Sequence, residues 1–225
     1  MKYSYDIHIH SVLSPCADVL MTPNNIFNMA SLKGLDIIAI TDHNSTKQLS
    51  ICYELSQSYD MLFIPGVEIT VKEDFDVLCY FKTIEDAISF DKILETYNQK
   101  NSFDHETMGN QEIVNIYDEV INEYPYLLID PLNLSIKDLL HILKDFEHVL
   151  IYAHIDKDYR SGINYIDKYP LDGVEYRHIE NNKKHQIVLK NSDAHQIIDI
   201  LEKGDNEGMI LDDLSIDSFF RYFSK

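Results

Sequence analysis

In YSYDIHIH, near the start of the chain, residues alternate with period two, so that Asp6, His8 and His10 share one face and Tyr5, Ile7 and Ile9 the other. This predicts a strand with a polar row, on which two imidazoles about 6.6 Å apart along the chain can converge on one cation. The period then changes. Thr22 caps a helix with Pro23 at its first position, apolar residues recur at helical spacing to Leu32, and Gly34 closes it. LDIIAI comes next as a buried strand ending at Thr41, Asp42 and His43. The cycle continues with a helix near 46–58, strands in MLFIPGVEI and FDVLCYF, and a helix over 84–97. Ser135, with Asp138 three residues on, opens a helix running to about Phe146. Short strands are expected in VLIYAHI, DGVEYR and QIVLKNSD, and a last helix near 215–223.

This alternation predicts an α/β protein with a parallel sheet, and seven or so units in 225 residues favour a closed barrel over an open doubly wound sheet. Residues 99–134 break the rhythm with a polar stretch and then a mixed run, as an inserted subelement or lid would. One domain over residues 1–225 is expected, and no internal repeat is present.

Charge narrows the partners. With 38 acidic and 19 basic residues, a net charge of −19 argues against a broad surface for duplex nucleic acid or an anionic membrane. Divalent cations in a carboxylate-lined cleft would reverse that sign locally, so a small phosphorylated substrate, a nucleotide or short oligonucleotide included, stays open. Cys16, Cys52 and Cys79 are odd in number and form no CxxC pair, which fits reduced thiols in a cytoplasmic protein. Neither a leader-like apolar region nor a membrane-length apolar run is expected to contribute.

The polar residues of interest sit at the expected strand ends: His8 and His10, Asp42 and His43, Glu68, Asp76, His154, then Asp193 with His195. A single strand-end histidine is more often a hydrogen-bonded structural residue than a ligand. Together, with the spacing of His8 and His10 repeated by Asp193 and His195, they predict a metal centre. Imidazoles and carboxylates without clustered thiolates suit zinc, manganese or iron, and the surplus of donors implies two or three divalent ions bridged by a carboxylate such as Glu68. His105, His141, His148 and His185 are read as surface or core residues.

DIHIHS, TDHN, GVEI, AHID and SDAH, in this order, resemble the PHP superfamily, named for polymerase and histidinol phosphatase domains, over residues 6–195. The resemblance implies a distorted seven-stranded (β/α)7 barrel and metal-dependent phosphoesterase chemistry. In the small stand-alone branch the substrates include nucleotide 3′,5′-bisphosphates and the 5′ ends of short RNA. Carried over by motif, His8, His10, Glu68 and Asp193 would hold one ion, and Glu68 would bridge to a second that also takes His154. Asp18, His43 and His195 would hold a third. Cys16 stands nearer the histidines, but the resemblance does not make it a ligand. Asp76 replaces a histidine common in related sequences, which gives the second position a harder, manganese- or iron-preferring character or else leaves it weak. Asp6 and Asp42 are expected to accept hydrogen bonds from ligating imidazoles.

The expected reaction is hydrolysis of a phosphomonoester by hydroxide bridging two cations, with Glu68, Asp193 and His43 at the reacting centre. Lys157, Arg160, Arg177 and His178 come after the later strands and are candidate phosphate contacts, with a solvated loop the equally weighted alternative. The rival readings are a histidinol-phosphate-like phosphatase, an amidohydrolase, whose metals are usually bridged by a modified lysine, and a non-catalytic module that keeps the fold.

Overall fold

A computed structural model of the chain describes residues 1–177 and 187–224. In chain order its elements are β1 (Lys2–Tyr3), β2 (Tyr5–Ile9), α1 (Pro23–Leu32), β3 (Ile37–Ile40), α2 (Leu49–Ser56), β4 (Leu62–Thr70), β5 (Asp76–Phe81) and α3 (Ile84–Tyr97). The second half contains α4 (His105–Met108), β6 (Glu112–Val114), β7 (Val120–Glu123), α5 (Ile136–Ile142), β8 (His148–Tyr152), β9 (Gly173–Glu175), β10 (Val188–Leu189), β11 (Met209–Ile210) and α6 (Ile216–Phe223). Local chemistry accounts for the helix starts. Thr22, Thr83, Ser135 and Ser215 each accept the backbone N–H three residues on, which satisfies one of the free donors of the first turn.

The main sheet has seven strands in the order β10-β9-β8-β5-β4-β3-β2. It is curled, in the manner of a β/α barrel. Ala194, beyond β10, bridges to Ile9 of β2, and His10 N–H donates to its carbonyl at 3.0 Å, so the two edges meet. The sheet is mixed rather than wholly parallel, because β5 runs antiparallel to both β4 and β8. The cause is visible in the chain length between Thr70 and Asp76, which suffices for a hairpin but not for the crossover that a parallel neighbour needs.

The reversal of β5 also places the inserted segment. Strand β5 leads away from the end where β4 finishes, α3 returns, and the segment between α3 and α5 therefore lies on the rim where β2, β3, β4 and β8 end. That segment is built, with α4 and the β6–β7 hairpin. It is tied down by Asn44 Nδ2, which donates to the carbonyls of Leu128 and Asp130 at 2.7 and 2.9 Å, and by Leu13 packing with Tyr124 and Leu128.

Two apolar layers surround the sheet. Helices α1, α2, α3 and α5 cover one face, while the other packs Ile7, Ile37, Ala39, Ile64, Leu78, Tyr80 and Ile151 against Phe219, Phe220 and Phe223 of α6. Along this second face the strands are apolar near α6 and ionisable at the far end. Ile64 is succeeded on the same side by Glu68, and Tyr80 and Leu78 are preceded by Asp76. Gly66 lies between because a Cβ there would stand 2.8 Å from Thr41 Cγ2 and 3.0 Å from the Tyr80 ring.

The period-two reading of β2 is corrected by a bulge. Register with β3 shifts between Asp6 and Ile9, so Ile7 packs with Ile37 and Ala39 but Ile9 packs with Ile38 and Ile40 in the opposite layer. An extra residue flips the side-chain parity, and Asp6 is thereby separated from the imidazoles.

Candidate metal centre

Four side chains converge at the rim end of β2 and β4. His8 Nε2 lies 3.2 Å from His10 Nε2, 3.3 Å from Glu68 Oε1 and 3.4 Å from Asp193 Oδ1. His10 Nε2 lies 3.3 Å from both Glu68 Oε2 and Asp193 Oδ1. Ligands placed about 2.0–2.1 Å from a tetrahedral ion stand about 3.3–3.4 Å from one another, so this spacing fits a zinc-sized divalent cation.

The opposite ring nitrogens explain why Nε2 faces inward. His8 Nδ1 is 3.0 Å from both oxygens of Glu175 and donates to that carboxylate. His10 Nδ1 is 3.0 Å from Ser14 Oγ, whose own proton goes to Asp42 Oδ1, so the serine accepts and the imidazole donates. Both rings thus present Nε2 to the centre. In the metal-free protein, burial would lower His8, but Glu175, Glu68 and Asp193 outweigh it and hold the ring well above its ordinary value. His10 is held well below, by burial first and then by His195 and His43.

Glu68 touches every part of the cluster. Its Oε1 lies 3.0 Å from His154 Nε2, which is itself 3.5 Å from Asp76 Oδ2, and its Oε2 lies 2.9 Å from His43 Nδ1. That last pair is buried without hydrogen-bond alignment, leaving both atoms without a bonded partner. Such orphaned buried atoms are what an ion between them would satisfy. Burial, and next the charge of Glu68, push the Asp76 carboxyl up to about 6. Asn44, His154 and Asp193 have φ of 50°, 24° and 53°, a left-handed conformation that turns the chain sharply at these strand ends.

A third group comprises His10, His43 and His195, with centroids 4.5 Å from His10 to His43 and 4.2 Å from His10 to His195. Here the geometry departs from the expectation for Asp18. Asp18 is exposed and its carboxylate accepts from Leu20 N–H at 2.8 Å, because residues 18–21 form a turn. The Cys16 thiol instead lies within electrostatic reach of His43 and His195. Burial would raise this thiol, but the two imidazoles outweigh it and bring it down to about 6.

The roles expected of Asp6 and Asp42 also change. Asp6 accepts from the backbone of Ser192 and Leu201 at 3.1 and 2.9 Å, bracing the loop that carries Asp193 rather than an imidazole, as the bulge dictates. Asp42 reaches His10 only through Ser14. The direct acceptor is Glu175, which sequence reasoning missed. Its signal was a lone acidic residue inside the apolar strand of DGVEYR. Glu175 also accepts from His154 N–H at 2.8 Å and Asn191 Nδ2 at 2.8 Å. We expect Glu175→Gln, which keeps size but removes the charge that orients His8, to weaken metal binding about 10–100-fold in a metal titration; unchanged affinity would refute this role.

Among the basic candidates, Lys157 is placed at the cluster, with Nζ 2.6 Å from Asp193 Oδ2. Burial would lower it, but Asp193 raises it further, so the ammonium stays charged. Arg160 is committed elsewhere, donating to the Ile129 carbonyl at 2.6 Å and so holding the rim segment. Arg177 is exposed, and His178 lies outside the described residues.

The profile of the PHP domain family matches residues 6–212. Among curated proteins none matches the chain. Two solved structures of Endonuclease Q resemble it. The enzyme from Pyrococcus furiosus is 18% identical, with a TM-score of 0.67, covering 98% of this chain and 55% of its own. A complex with a 27-mer duplex bearing an abasic lesion is 18% identical, with a TM-score of 0.68, covering 100% of this chain and 57% of its own. The chain thus spans little more than half of each endonuclease. A protein from Bifidobacterium adolescentis, provisionally described as a metal-dependent phosphoesterase, is 17% identical, with a TM-score of 0.59, covering 98% of this chain and 95% of its own. At these identities the likeness is one of fold.

Proposed function

Because the chain belongs to the PHP domain family, we propose that it is a phosphoesterase using two or three divalent ions to hydrolyse a phosphomonoester on a small substrate, such as a nucleotide 3′,5′-bisphosphate or the 5′ end of a short oligonucleotide. The observation that carries this reading is the convergence of His8, His10, Glu68 and Asp193 at separations suited to a divalent cation. His154 with Asp76, and His43 with His195, extend the donor set to either side of Glu68. Bound divalent ions would supply Lewis acidity there, activating water at neutral pH and offsetting charge on the phosphoryl group.

The protein's own groups then have separate tasks. Glu175 and Ser14 hold the protons of His8 and His10 on Nδ1. Glu68 joins the donor groups. Lys157, already beside Asp193, is the protein cation positioned to meet a phosphate oxygen. The rim segment holds seven carboxylates against one lysine over residues 99–134. That charge supports a compact anion over a long duplex, whose phosphates beyond the centre would meet carboxylates.

The test is phosphate release with added manganese from a nucleotide 3′,5′-bisphosphate, a short 5′-phosphorylated oligonucleotide and a duplex with an abasic site. Release from either of the first two that collapses in Asp193→Ala is expected. Cleavage of the duplex alone, or no release by manganese-loaded protein, would refute the proposal.

A further inference from the structure

The two carboxylates that approach His8 and His10 are held in different ways. Glu68 turns both oxygens to imidazoles: Oε1 lies 3.3 Å from His8 Nε2 and 3.0 Å from His154 Nε2, and Oε2 lies 3.3 Å from His10 Nε2 and 2.9 Å from His43 Nδ1. Asp193 divides its oxygens. Oδ1 stands 3.4 Å from His8 Nε2 and 3.3 Å from His10 Nε2, whereas Oδ2 is 2.6 Å from Lys157 Nζ. The pair is sheltered, with the lysine side chain 14% and the aspartate side chain 6% exposed. The lysine is itself placed by the turn that carries His154. Its N–H donates to the His154 carbonyl at 3.0 Å, and its ammonium lies 5.7 Å from the centroid of the Tyr159 ring. The turn that presents one imidazole thus grips a carboxylate presented by another.

We propose that Lys157 is a positioning residue for the metal centre: its ammonium occupies Asp193 Oδ2, leaves Oδ1 as the one oxygen free to ligate beside His8 and His10, and so favours a four-coordinate ion such as zinc over manganese. This rests on the cluster being a metal centre, not on which ester it cleaves. A carboxylate can ligate through one oxygen or through both, and the second oxygen raises the coordination number. Zinc binds with four ligands, whereas manganese takes a larger, oxygen-rich shell. An ammonium hydrogen-bonded to Oδ2 engages that oxygen and draws charge from the carboxylate, so the second bond to a metal is opposed. An ammonium has three N–H donors, and holding Asp193 with one leaves two to meet a phosphate oxygen.

Cobalt(II) reports coordination number without turnover, since a four-coordinate ion absorbs strongly in the visible and an ion with more ligands weakly. Metal-free protein given one equivalent of cobalt(II) should show the strong absorption in the native chain. Lys157→Met, which keeps most of the side-chain length but not the ammonium, should lose most of it. In competition between zinc and manganese, Lys157→Met should lower the preference for zinc by about tenfold or more, a ratio that a loss of stability alone would not move. Asparagine at 193 suits the left-handed backbone there, φ 53°, and offers a single oxygen. In an Asp193→Asn background, therefore, Lys157→Met should leave the metal ratio unaltered. Native absorption in Lys157→Met, an unchanged metal ratio, or an equal change of ratio in the Asp193→Asn background would overturn the proposal. Hydrolysis by a protein without these shifts would leave the proposed function standing. The shifts in a protein that hydrolyses no phosphoester would uphold the role of Lys157 and refute the proposed function instead.

Discussion

Glu68→Gln is expected to lower metal-dependent phosphate release by about a thousandfold or more, the loss of several kcal/mol of transition-state stabilisation. Among the described residues Glu68 is the single side chain that approaches His8, His10, His43 and His154 together, at 2.9–3.3 Å. The charges of His8 and His43 and the hydrogen bond of His154 outweigh its burial and hold its carboxyl well below the usual range. Glutamine keeps the size but brings an NH2 group, which cannot ligate, into the centre and removes the charge. The variant should fold, since the apolar packing against α6 is untouched, and should bind fewer ions. Kinetics with metal analysis on the same samples checks this. Near-native turnover in Glu68→Gln would remove Glu68 from the centre of the chemistry.

In the absence of metal, the contribution of Asp76 to stability should be lost as pH rises. Its carboxyl is pushed from an ordinary 3.8 up to about 6, by burial first and then by Glu68. A carboxyl raised in the folded state stabilises fully below its unfolded value, and that contribution is lost as pH climbs through about 6. Asp76→Asn, permanently neutral, keeps an oxygen to accept from Thr70 Oγ1, which now donates to Asp76 Oδ1 at 2.6 Å. The metal-free variant should therefore match the native chain near pH 4 and exceed it at pH 8 by about 2–3 kcal/mol, the free energy of a shift of about two pKa units. Adding manganese should reverse the order, because the native carboxylate gains an ion that asparagine holds poorly. Denaturant melts at the two pH values, with and without metal, provide the measurement. A native chain no less stable than Asp76→Asn at pH 8 without metal would show that the carboxylate is already compensated.

Much of the centre was legible because its residues cluster in short motifs at the ends of alternating elements. HxH at the end of β2, the glutamate near the end of β4, the histidine after β8 and DAH after β10 meet because neighbouring strands finish on one rim. Helix starts were legible for a local reason, since a Thr or Ser cap acts over three residues. Asp76 was placed at the correct rim but on the wrong kind of strand: it begins β5, and it reaches the others because β5 is reversed.

Other features depend on distant partners and left no local trace. Whether Asp6 faced the imidazoles turned on one bulged residue, set by the register of β2 against β3. The outward turn of Asp18 depended on the path of a loop anchored to His195, remote in the chain. Glu175 was one acidic residue among many until folding brought it to His8. Local alternation and capping thus sufficed for the α/β class and for the residues that bear donor atoms. The direction of each donor came from register, loop anchoring and buried hydrogen bonds between segments far apart in sequence, interactions that no short stretch of residues contains.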